Sequence, residues 1–403
     1  MKKIALTALS AAMLAGCFGE DSSNDNNVEG HTFIAQLRDA SYTSSEIAIG
    51  TVGSTEIVEN YASKDQSDYT IDVYEQYLYH IGRFNIDTLT RYDAAADFLQ
   101  ADYTYSLAEP ESTSSNTHQF VQVAEDKAYV IRYGKTSIQI VDPSADEQNF
   151  VIGEIELSAY VAEDATYPRM TQALVHDGKL FVGMQRLGNA DSSFAVASDS
   201  YVAVIDIATN TEIDTNESEA GLKGIQLNAD NLKAMAIEDG YLYVAGRGDF
   251  SSNSGALDRI NLDDYSVENL IDAETFANLN DVSDDDDPSN DTYFHVLSVA
   301  IVGDTGFVKI NREQGYSTLS SPLYSFSVDN ATEFTAVSTA ELEDKKISIM
   351  KAGPDDTLWV GIDNAEAPDV YVLNEAGEVQ GEPLEFSMPI IDLEFIEILK
   401  DTE

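Results

Sequence analysis

The sequence predicts an all-β chain folded as a seven-bladed β-propeller whose two ends share one blade. Three observations predict it. Beyond residue 30, short runs rich in Val, Ile, Tyr and Phe alternate with Gly, Asp, Asn and Ser turns, with little sign of long amphipathic helices. A paired-strand unit recurs: "FVQVAEDKAYVIR", "TQALVHDGKLFVGMQR", "KAMAIEDGYLYVAGR", "VLSVAIVGDTGFVKINR" and "ISIMKAGPDDTLWVGIDN". Incomplete segments at the two ends complement each other, as argued below.

The chain opens on "MKKIALTALSAAMLAGC", with two lysines, an apolar stretch from Ile4 to Ala15 and small residues before Cys17. This reads as a secretory signal, too short for a stable membrane span. "LAGC" is similar to the lipobox of bacterial lipoproteins. That resemblance implies a signal peptide over residues 1–16, acylation of Cys17 and anchoring in membrane lipid by several chains. Phe18 in place of Asp implies export to the outer membrane. Whether the protein faces the periplasm or the outside stays open. Residues 17–30 are polar, acidic and aperiodic, which is a flexible tether. Residues 31–403 form the propeller domain.

Each unit continues past its paired strands. A third strand with Asp near its end follows in "TSIQIVDP" (136–143) and "YVAVIDIATN" (201–210), and a fourth in "FVIGEIEL" (150–157). Four strands per unit is the blade of a propeller. Six complete units lie near 67–107, 117–158, 167–214, 231–271, 293–339 and 345–386. "MPIIDLEFIEIL" (388–399) has the form of a first strand alone, while residues 32–62 supply second, third and fourth strands. Together they make a seventh blade, which removes the exposed sheet edges. An eighth blade within 186–200 or 271–292 is the alternative count. "SYVAVIDIATNTEI" (200–213) and "AYVIRYGKTSIQIVDP" (128–143) resemble the YVTN-type repeats of exported bacterial propellers. The resemblance supports the fold and names no ligand.

Composition narrows the partners. There are 22 Lys plus Arg against 72 Asp plus Glu, and the formal charge is −50. Such a chain repels phosphate backbones, so nucleic acid is excluded as a general partner. Cys17 is the only cysteine, which excludes an internal disulfide. A monomer is expected.

The few cations are not scattered. Arg83, Arg132, Arg186, Arg247 and Arg312 each end a second strand, and Arg169, Lys233, Lys345, Lys346, His118 and His295 lie near the start of a first strand. In a propeller those two places share one rim. Guanidinium and ammonium groups converging there would hold carboxylates or phosphates. The competing expectation is local ion pairing, because side chains alternate faces along a strand and the arginines occupy different registers. "NDVSDDDDPSNDT" (280–292) gathers Asp281, Asp284, Asp285, Asp286 and Asp287 in a loop that either binds Ca2+ or is simply solvated. His80 and His176 have structural positions, and Asp142 and Asp206 read as turn formers. Apart from this Ca2+, no cofactor is expected.

Two function classes follow. One is a lipid-anchored envelope protein that binds an anionic small molecule or a partner protein through its rim. The other is a propeller hydrolase such as a lactonase, which would hold a central metal with Glu, Asp, Asn or His. The strand-one entries offer Arg, Lys and His instead, which favours binding.

Overall fold

The computed structural model describes residues 31–397 except 96–99, 110–113, 190–195, 197, 217–220, 251, 280–291, 316 and 332. The expected signal segment, Cys17, the expected tether and the predicted Ca2+ residues Asp281 and Asp284 to Asp287 therefore lie outside the described residues.

Seven antiparallel sheets form the ring. Blade 1 runs from its innermost to its outermost strand as Tyr69–Tyr74, Tyr77–Gly82, Thr88–Asp93 and Ala101–Ser106. Blades 2, 3 and 4 span 117–156, 170–213 and 232–271, with Ile225–Gln226 added to the third strand of blade 3. Blades 5 and 6 span 292–336 and 347–385. Blade 7 takes its innermost strand, Ile390–Glu397, from the C-terminal segment and its other three from 31–64. The eight-blade alternative is thereby corrected. Of its two candidate stretches, one contributes the short helix Ala273–Leu279 and the other an isolated bridge, Leu187 to Val196.

The local rules are visible in the strands. Second strands are covered by neighbouring blades on both faces, so they read as unbroken apolar runs, as in Tyr77–Gly82, buried from Leu78 onward. Outer strands alternate, as in Ala101–Ser106. The hairpins "HDG" and "EDG" place Asp177 and Gly178, and Asp239 and Gly240, at positive φ. That is the turn geometry matching strand twist, which explains an Asp-Gly pair at each. Asp142 and Asp206 cap turns as expected, accepting from the Ser144 and Thr209 amides at 2.9 and 2.7 Å.

Seven apolar clusters sit between adjacent blades, one per seam. At the seam of blades 6 and 7, Trp359 packs on Phe33 and Phe395 with ring centroids 5.1 and 5.2 Å apart. Burying each such ring stabilises the ring of blades by about 2–3 kcal/mol.

The channel wall carries a second seam device. An innermost strand has no sheet partner on its channel side, so its amides need other acceptors. Side chains from the preceding blade supply them. Asp392 Oδ2 accepts from Ile71 N at 3.1 Å, Asp72 Oδ2 from Phe120 N at 2.6 Å, Gln119 Oε1 from Ala173 N at 2.7 Å, and Gln172 Oε1 from Met235 N at 2.7 Å.

Deleting residues 388–403 removes the innermost strand of blade 7, opening the ring at the seams with blades 6 and 1. Thermal unfolding followed by circular dichroism should show loss of the whole cooperative transition. A truncated protein with a native-like transition would refute the shared blade as the closure.

Candidate functional site

Five blades bring polar side chains together on the rim where innermost strands begin. From blade 1 comes Arg83, directly after Tyr77–Gly82, with its Nε 3.2 Å from Asp68. Blade 2 gives His118, on Thr117–Ala124, stacked on Tyr133 at 4.5 Å. Arg169, just before the first strand of blade 3, lies with its guanidinium 5.1 Å from the centre of the same Tyr133 ring. Blade 4 gives Lys233 and Arg247, both over the Phe250 ring at 5.9 and 4.1 Å. Blade 5 gives His295 and, beside it, Glu313.

A polar relay sets the spacing of these groups. Tyr133 donates its hydroxyl to Gln185 Oε1 at 2.9 Å, and Gln185 Nε2 donates to Leu232 O at 2.8 Å. Blades 2, 3 and 4 are thus tied at rim level. Blade 5 reaches over blade 4 because its first two strands are long, Thr292–Val302 and Thr305–Gln314. The extra length carries Glu313 beyond the usual strand end. There it accepts from Arg247 Nη2 at 2.5 Å and from Asn311 Nδ2 at 3.2 Å.

The electrostatics follow from burial and crowding. Lys233 is pushed down to about 8 by burial and then by the Arg247 charge, with Glu313 opposing. Lys309, whose Nζ donates to Ile347 O, is pushed down to about 8 by burial. Burial, the Arg83 charge and more weakly that of Lys233 hold His118 well below the ordinary imidazole range. Burial and the Arg247 charge lower His295 to about 4, so it is neutral near pH 7. Its Nδ1 lies 3.3 Å from Arg247 O, which can only accept, so Nδ1 carries the proton. His295 Nε2 is then an acceptor, 3.8 Å from another acceptor, Glu313 Oε2.

Three of the predicted rim residues go elsewhere. Arg132 is 1% exposed and is committed to Glu109, on the segment leading into blade 2, and to Ser137 and Glu154 on the outer part of blade 2. Arg186 donates to Tyr160 O and Asp199 O at 2.9 and 2.8 Å and lies over the Tyr201 ring. Arg312 projects into solvent from the exposed side of its strand. Tyr133, Phe250, Lys309, Asn311 and Glu313 belong to the cluster but were not singled out from the sequence.

The channel below the rim holds Asp72, Asp392, Glu394 and Lys351, with Lys351 Nζ 2.6 Å from Glu394 Oε1. Burial and then the Glu394 charge raise Asp72 well above the ordinary carboxylate range. Among the described residues no group of three or more His, Cys, Asp or Glu is arranged to hold a metal ion. A groove of about 410 Å3 on the opposite rim is lined by Asp304, Thr305, Ser327 and Glu333 among others, and its lining carries no cation.

No family model matches the chain, and no curated protein does. Among solved structures it is similar to a protein from Lactobacillus plantarum, at 11% identity over 91% of this chain and 100% of that one, with a TM-score of 0.59. It is also similar to a candidate 6-phosphogluconolactonase from Bacteroides fragilis, at 9% identity over 93% and 100% of the two chains, with a TM-score of 0.57. A second protein so described, from Bacteroides uniformis, gives 9% identity, 91% and 100% coverage, and a TM-score of 0.54. At these identities the likeness shows the propeller fold alone.

The separation of roles can be measured. Arg132→Ala should cost about 2 kcal/mol of stability through lost charged hydrogen bonds and packing. Lys233→Gln, which removes a charge that burial already disfavours, should leave stability unchanged or raise it. Urea unfolding of the two variants checks the ordering, and a Lys233 variant less stable than the Arg132 variant would overturn it.

Proposed function

We propose that this chain is a lipid-anchored envelope propeller that binds a small anion, or an acidic group of a partner protein, at the rim cluster of blades 1 to 5. The observation that carries this reading is the convergence of Arg83, Arg169, Lys233 and Arg247 in a chain of net charge −50. Concentrating scarce cations at one place has a standing electrostatic cost, and an anion offsets it. The aromatic rings of Tyr133 and Phe250 hold the guanidinium groups of Arg169 and Arg247 by their faces.

Calorimetry with phosphate and citrate tests the site. Binding should weaken steeply with added salt, because exposed charge attraction is screened within about 10 Å at 0.1 M. Arg83→Ala and Arg169→Ala should each cost about 1–3 kcal/mol of binding. The pH dependence has a definite sign. An anion favours the protonated lysine, and Lys233 loses its proton as pH rises through about 8. Affinity should therefore be level near pH 7 and fall between pH 8 and 10, by at most about tenfold per unit for each coupled proton. No binding tighter than millimolar at low salt and pH 7 would end this reading.

A hydrolase is the second reading, and the pair His295 and Glu313 is the observation that favours it. Two acceptors 3.8 Å apart beside Arg247 could take a proton from a bound hydroxyl or water. Two of the similar structures are described as candidate lactonases of a phosphorylated sugar acid. Acid release from a phosphorylated sugar lactone, followed in weakly buffered solution, would favour hydrolysis over binding alone.

The anchor rests on the segment "LAGC" ending at Cys17. Cys17→Ser should move the protein from the membrane to the soluble envelope fraction. A variant that still sediments with membranes would remove the support for lipid anchoring.

A further inference from the structure

The geometry points to Glu313 as a built-in competitor, a carboxylate of this chain that occupies the rim cluster and determines which anions enter it. This rests on the anion-binding reading and adds a specificity-determining residue to it. Three observations place Glu313 in that role. It is only 5% exposed although it lies near a strand end on the rim. Its two oxygens are held separately, Oε2 by Arg247 Nη2 at 2.5 Å and Oε1 by Asn311 Nδ2 at 3.2 Å, which is a receptor shaped for one carboxylate. Its charge also acts on Lys233, Lys309 and His295, so one carboxylate partly neutralises cations from two blades.

Arg247 Nε, a donor, has no hydrogen-bond partner among the described residues, and Arg247 is only 8% exposed. The receptor is thus filled at one edge by Glu313 and unsatisfied at another. An incoming anion has two routes. It displaces Glu313 from Arg247, or it binds toward Arg169 and Arg83 and endures the charge of Glu313. Either route penalises an anion with a single charged group more than one with several, because only the latter gains contacts on both sides of the cluster. The internal carboxylate therefore selects ligands that carry two or more acidic groups, a form of specificity made by repulsion.

The test compares citrate and acetate by calorimetry at low salt on the full chain. The wild type should bind citrate and bind acetate at least tenfold more weakly. In Glu313→Gln, which keeps the shape but removes the charge and retains one acceptor oxygen in place of two, acetate should tighten at least tenfold and the discrimination should shrink. Glu268→Gln changes net charge by the same amount at an exposed pair with Arg259, far from the rim site. It should shift neither affinity by more than about twofold. Glu313→Asp keeps the charge but withdraws it from Arg247, and should give an intermediate result if the Gln variant does not fold. Wild-type citrate binding with no tightening in Glu313→Gln would overturn the competitor role while leaving the rim site standing. Equal tightening in Glu268→Gln would overturn it too, since the effect would then be general charge. No citrate binding to any variant would overturn the rim reading and this inference together.

Discussion

The whole architecture depends on one antiparallel pairing, His31–Arg38 against Ile390–Glu397. Every other pairing among the described strands is between segments near in sequence. This one fixes the ring, and only in a closed ring does every blade have two neighbours against which to bury its apolar faces. Its register sets Phe33 opposite Phe395 and Ala35 opposite Leu393. A slip of one residue would turn that apolar set from the blade 6 seam to the blade 1 seam. The same strand carries Asp392 and Glu394, which reach blades 1 and 6. Closure thus supplies both the backbone ladder and part of the polar wall of the channel.

The rim cluster follows from this ring. Only Lys233 and Arg247 share a sheet, and the other cations of the cluster come from separate blades. Arg83, Arg169, Lys233 and Arg247 are brought together by the spacing between blades, so the site exists only when the seams are intact. The faces of the Tyr133 and Phe250 rings attract these cations and fix where they lie. Ring contact does not exclude a carboxylate partner: Arg91 and Arg259 lie over tyrosine rings and pair with Asp102 and Glu268, as Arg247 over Phe250 pairs with Glu313.

The fold was legible in the sequence because the blade is a repeat with punctuation. "HDG" and "EDG" mark the hairpins, and unbroken apolar second strands mark the interior. The site was legible only in part, and register explains why. Counting three residues on from the strand-two positions His80, Val130, Val182, Val244 and Val308 gives Arg83, Tyr133, Gln185, Arg247 and Asn311. All five take part in the rim cluster or its relay. Following arginine as a residue type caught two of them and added Arg132, Arg186 and Arg312, which sit one residue to either side. Arg132 is the last residue of its strand and faces the other way, while Arg186 has positive φ and turns outward. The role of Glu313 was hidden for a different reason. Its partners are on another blade, and only the length of the blade 5 hairpin brings them within reach.

Ring closure also dictates a timetable for folding. Some 350 residues separate Arg38 from Ile390. Bringing the ends of so long a loop together costs about 5 kcal/mol in chain entropy alone. Blades can form their hairpins one by one as the chain emerges, but blade 7 stays incomplete until its last strand is available. Until then the inner edge of His31–Arg38 offers unpaired amides and carbonyls to any passing strand, its own copy included. The high negative charge of the rest of the chain then acts as a safeguard, since two half-folded copies repel each other before their open edges can pair.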